Sequence, residues 1–187
     1  PLLGTRMNQA EDHKGEQLIF DLRAETPKEI WRCQWDESCT VLDYRPDKQI
    51  LVLESNQFND LTQLISINLL TRKHHVLHSD PLKFADIANV NLQRNSNGYA
   101  MPTMISYQGD QHKAYGLNNP IKAHLSYIHS KLAKHGLRFE LPTNANSDSK
   151  NTLKQHWLIK QLSNDSAHIG YFLYQPAHKQ LTPILTD

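Results

Sequence analysis

The feature that most constrains this chain is a succession of short β-prone runs, each a strand's length, separated by clusters of turn residues. Residues 17–22 read QLIFDL, Lys28–Cys33 KEIWRC, 40–44 TVLDY and 49–54 QILVLE. Between the last two runs lies Arg45-Pro46-Asp47-Lys48, a turn built on proline and aspartate. Residues 62–69 alternate, with Leu64, Ser66 and Asn68 on one face and Ile65, Ile67 and Leu69 on the other. Residues 73–77 follow. The pattern restarts at 87–93, passes the turn Asn95-Ser96-Asn97-Gly98, and runs on through 99–107 and 112–117 after Gly109-Asp110. It closes with Trp157–Leu162, 170–174 and Gln180–Leu185. Regular short strands with turn signals between them predict an all-β sandwich, barrel or propeller.

One segment departs from this period. Over residues 119–134, Ile121, Leu125, Ile128 and Leu132 form a helical apolar stripe behind Pro120, and Gly136 reads as the stop. The expectation is one short helix inserted between strands. Residues 144–151 (NANSDSKN) read as a polar connecting loop.

Internal repetition selects among the β architectures. Residues 50–80 and 157–187 have equal length. Both run strand, Ser/Asn/Asp loop, strand, basic turn, strand, and both end on Asp. Units of three or four antiparallel strands are propeller blades, which bury their faces only against neighbours. The fold expected is therefore all-β, a partial β-propeller of about three to four antiparallel blades with one short inserted helix. The blades fall near residues 1–38, 39–80, 81–137 and 138–187. The start at Pro1 and the end at Asp187 read as those of an excised piece, and the uncovered blade edges predict self-association or collapse of the ends together.

Charge and composition narrow the partners. Twenty Lys and Arg balance nineteen Asp and Glu, so nothing electrostatic calls for nucleic acid or an anionic membrane. No run approaches the length of a membrane-spanning helix, and mean hydropathy is −0.61. Compartment is left open. Cys33 and Cys39 are too few for a disulfide framework. They flank the turn expected at residues 36–38, so a local bond competes with a reduced pair, and the reduced pair is favoured.

Signs of chemistry are sparse. Seven glycines include no Gly-x-Ser-x-Gly nucleophile elbow. His74, His75 and His78 form the densest imidazole cluster, but adjacent strand residues point to opposite faces, so solvated histidines are favoured over a zinc site. His124 and His129 are poorly spaced as a helical metal pair and read as surface residues. Trp31, Trp35 and Trp157 could stack a ligand; their strand-like settings favour packing. Asp36, Glu37, Asp43 and Asp60 could hold a substrate amine, with turn and loop roles preferred. No catalytic, cofactor-binding or metal-ligating residue is assigned, and no cofactor is expected.

Asp43-Tyr44-Arg45-Pro46-Asp47, the QILVLES run, Asn59-Asp60, LISINLLTRK and Val76-Leu77 resemble propeller blades of the prolyl oligopeptidase family of serine peptidases. The likeness is greatest to the dipeptidyl aminopeptidase and acylaminoacyl-peptidase branch. Residues 157–185, with Ser163-Asn164-Asp165, GYFLY and KQLTPIL, resemble the last blade before that family's hydrolase domain. Ala167-His168-Ile169 stands where the family often has Pro-Gly. The inserted helix also fits the family's pattern. The resemblance covers residues 30–187. It implies a non-catalytic domain that gates or positions peptide substrates for an α/β-hydrolase domain of the parent chain, itself absent here. The partners implied are that hydrolase domain and the peptides. A TolB-like or WD-repeat-like interaction propeller, or a small independent hydrolase with a dispersed site, are the alternatives.

Overall fold

The computed structural model describes residues 3–8, 15–23, 25–132, 136–141, 155–162 and 169–185. Among them the chain is strand-rich, with a single α-helix. It divides into two compact units, residues 1–87 and 88–187.

The first unit holds two antiparallel sheets whose strands are neighbours in sequence. One has order β1-β2-β3, from Leu3–Met7, Gln17–Asp21 and Lys28–Cys33. The other has order β4-β5-β6-β7, from Cys39–Arg45, Ile50–Ser55, Gln63–Asn68 and His74–His78. The two sheets share a core. Ile19, Trp31 and Cys33 meet Leu51, Leu53, Ile65 and Ile67, all buried. The pairings Leu51↔Ile67 and Leu53↔Ile65 place those four residues on one face. Val52 and Leu64, on the opposite face of the same sheet, are 1% and 0% exposed. The centre of this sheet, in β5 and β6, therefore has buried apolar residues on both faces. The edge strand β7 has four of its five residues exposed.

A polar group also ties the two sheets. Arg23 pairs with Asp21 through both guanidinium Nε and Nη2, and the Tyr44 hydroxyl of β4 donates to Asp21 Oδ2 at 3.1 Å. The Arg23 hydrogen bonds hold the Asp21 carboxyl far below the usual carboxylate range, against the opposing effect of burial.

The second unit carries a sheet of order β10-β9-β8, built from Ile87–Arg94 (β8), Ala100–Gln108 (β9) and His112–Gly116 (β10). The helix α1, Asn119–Lys131, follows. Then comes a sheet β11-β12-β13-β14, from Gly136–Glu140, Trp157–Leu162, Ile169–Gln175 and Gln180–Leu185. Asn118 caps α1 by accepting from the Ile121 N–H at 2.9 Å, and Ile121, Leu125 and Ile128 are its buried face. The helix ends at Lys131, short of the expected Lys134. Gly136, expected as its stop, opens β11 instead. Gly116 lets β10 meet the helix: a Cβ there would sit 2.6 Å from the Lys122 backbone nitrogen.

The expected strands are present, with two additions. Leu3–Met7 and Gly136–Glu140 are strands that the sequence reading did not name. The all-β class with one helix holds. Among the described residues no sheet closes on itself. The repeat survives as two four-stranded meanders with an exposed last strand. Its first strand needs a correction. Trp157 and Ile159 occupy the core face held by Leu51 and Leu53 in the other copy, so matching Ile50 to Trp157 is one residue out of step. The polar loop expected at residues 144–151 and the Ser163-Asn164-Asp165 motif lie outside the described residues.

Candidate functional site

Strand register brings three loops to one end of the β4–β7 sheet. Cys39 pairs with Ser55, Ser55 with Gln63, and Leu64 with His78, so these positions lie level. The connections 34–38, 56–62 and 79–86 therefore leave the sheet on the same side. Hydrogen bonds knit them together. The Ser38 N–H donates to Asn56 Oδ1 at 2.7 Å. The Thr62 N–H and hydroxyl both donate to Asp86 Oδ1, at 2.8 and 3.1 Å. The Ile87 N–H donates to Thr62 Oγ1 at 2.7 Å.

The first loop is the most constrained. Cys33 and Cys39, the last residue of β3 and the first of β4, form a disulfide with Cα atoms 6.4 Å apart. This overturns the preference for reduced thiols. The sequence showed two thiols beside a turn; it did not show that consecutive sheets would hold the turn's ends together. The Ser55 hydroxyl donates to the Cys39 sulfur at 3.1 Å. A turn bond from the Glu37 N–H to the Gln34 carbonyl, 3.1 Å, and a bond from the Gln34 N–H to the Glu37 carboxylate, 2.7 Å, fix the five intervening residues. Behind the loop, the Trp31 indole N–H donates to Gln57 Oε1 at 2.9 Å. The Gln57 amide donates to the Arg32 carbonyl at 3.1 Å, and the Arg72 guanidinium lies 5.2 Å from the Trp31 ring centroid.

That framework leaves Trp35 at 73% exposure, whereas Trp31 and Trp157 are buried. The expectation that all three tryptophans pack is thus corrected for Trp35. Asp36 and Asp60 are exposed and Glu37 half-buried at this end. Asp43 is not a surface residue: it is buried within β4 and pairs with Arg45 at 3.0 Å.

Between the second and third loops lies a cleft of about 430 Å³, lined by Asn59 through Gln63 and by Ser79, Asp80, Lys83 and Phe84. The Asp80 carboxylate accepts from the backbone N–H groups of Leu82, Phe84 and Ala85, which shapes the third loop. Lys83 adopts a left-handed φ of 53° there. Burial, reinforced by the Asp86 carboxylate, pushes Glu54 above the usual carboxylate range.

The remaining candidates do not converge. His74 stacks on Phe58 with centroids 3.8 Å apart, and His75 is exposed. Among the described residues no three His, Cys, Asp or Glu side chains are placed to hold a metal, and no helix is long and apolar enough to cross a membrane. His124 is not the surface histidine expected. It is half-buried, its Nδ1 is 2.7 Å from the Tyr174 hydroxyl, and Trp157 lies edge-on at 5.5 Å. Burial, and then the Lys179 charge, hold His124 below the usual imidazole value. Burial pushes Tyr174 up to about 12. This cluster pins α1 to its sheet. His129 is exposed beside Phe139.

No protein family matches the chain, no curated protein does, and no solved structure does.

Proposed function

We propose that this chain is a propeller-type domain of a serine peptidase of the prolyl oligopeptidase kind, which screens and positions peptide substrates for a hydrolase domain elsewhere in the parent protein. The observation that carries this reading is the repeated four-stranded meander with an exposed last strand, one copy of which buries apolar residues on both faces of its central strands. A sheet with apolar residues on both faces needs neighbours on both sides, and packing between blades would supply them. The resemblance at residues 30–187 supplies the peptidase context. The chemistry contributed here is steric exclusion and orientation, with no bond made or broken by these residues.

A fluorophosphonate probe followed by intact-mass measurement tests this. The isolated chain is expected to take no adduct and to turn over no peptide or ester. The whole parent polypeptide is expected to take one adduct at a serine outside residues 1–187. A stoichiometric, turnover-linked adduct within this chain would overturn the proposal. Absence of any adduct on the whole parent would favour the second reading, an interaction propeller, which the exposed Trp35 also supports.

A further inference from the structure

We infer that the three-loop end of the β4–β7 sheet is a docking surface for a basic polypeptide segment that also carries apolar side chains. Apolar anchors come first. Trp35, Leu82 and Phe84, on the first and third loops, are 73%, 59% and 62% exposed. The Trp35 loop is held by the Cys33–Cys39 disulfide, by its own turn bonds and by Asn56. An aromatic presented on a rigid loop loses little freedom when a partner covers it, and exposed tryptophan is the residue type most enriched among binding hot spots.

Charge identifies the partner. The three loops present Asp36, Glu37, Asp60 and Asp86, with Asp80 buried beneath them, against one base, Lys83. The turns at the opposite end of the same sheet, 46–49 and 69–73, carry Lys48 and Lys73 against one acid, Asp47, while the Arg72 guanidinium reaches back over Trp31. The chain as a whole is nearly neutral, so this sheet is polarised end to end. Lys and Arg side chains suit the acidic end twice over, through the carboxylates and through the Trp35 ring face. A cleft of about 430 Å³ beside Phe84, lined largely by polar residues with Asp60 among them, offers room for one basic side chain of the same segment.

The inference does not depend on the peptidase reading, because binding is measured on this chain alone. The probe is a short fluorescein-labelled peptide alternating Lys or Arg with Leu, followed by anisotropy. Two controls replace its basic residues with Glu or with Gln. The basic peptide is expected to bind saturably and more weakly as salt rises. Trp35→Ala is expected to weaken it about tenfold or more. Asp36→Asn with Asp60→Asn is expected to weaken it about fivefold and to flatten the salt dependence. These side chains are exposed, and far-ultraviolet circular dichroism should be unchanged. Equal binding of the Glu or Gln peptide would overturn the inference, as would intact binding by Trp35→Ala. So would a Trp35→Ala effect confined to self-association in the analytical ultracentrifuge, which would make this end a contact between copies.

Discussion

The sheets β4–β7 and β11–β14 are two versions of one meander, and they secure themselves differently. Leu51, Leu53, Ile65 and Ile67 on the core face of the first correspond to Trp157, Ile159, Phe172 and Tyr174 in the second. On the other face, Val52 and Leu64 are sealed beside partly buried Glu54 and Ser66, whereas Leu158, Lys160, Tyr171 and Leu173 are all only partly buried. The first copy is built from aliphatic residues, buried on both faces of its two central strands, and is stapled to its neighbour by a disulfide. The second, open on one side, concentrates aromatic bulk on its covered face and is braced by a helix through His124. The same strand order tolerates either arrangement, because a sheet needs only that its buried face be filled; the second face decides what the sheet can still accept as a neighbour.

The largest expected effect breaks this contrast directly. Val52→Asp places a charge on a sealed face and should cost about 4 kcal/mol or more, enough to abolish cooperative unfolding of the first unit. Leu173→Asp, on the open face, should cost about 1 kcal/mol or less, read by urea denaturation. Similar costs would mean that the two faces do not differ. Next, Trp157→Ala should remove about 3–5 kcal/mol from the second unit, with amide protection lost in β12 and β13 and retained in β5 and β6. Removal of the staple by Cys33→Ser with Cys39→Ser should cost about 2 kcal/mol, since the closed loop is short, and should leave the second unit's exchange unchanged.

The smallest effect is a pH dependence of the second unit. Burial lowers the folded-state pKa of both His112 and His124, so the unfolded chain takes up protons first as pH falls. Their contribution is whole above about pH 6.5 and is lost as pH drops from there toward the folded values. The melting temperature should decline over that window, and His124→Phe should reduce the slope.

Strand positions were legible because period-two alternation is local: QLISIN and WLIKQL declare themselves. Gly136–Glu140 alternates as cleanly, with Leu137 and Phe139 buried and Arg138 and Glu140 exposed. Its glycine reads equally as the stop of the helix before it, which hides the strand. Leu3–Met7 carries almost no apolar signal, since it is a mostly exposed edge strand. The candidate site was legible only in pieces. Asp36, Asp60 and Trp35 could be named, but their gathering at one end depends on the pairing Cys39↔Ser55 and its neighbours. Burial of His124 and Asp43 likewise depends on what packs over them from elsewhere in the chain.

The Cys33–Cys39 bond also sets how this molecule responds to force. A chain pulled from both ends would transmit tension from β3 into β4 through two sulfur atoms, bypassing Gln34 to Ser38 entirely. The first two sheets could unravel strand by strand, yet the junction between them could not lengthen. The loop bearing Trp35 would carry no load and would keep its turn after the strands on either side had yielded.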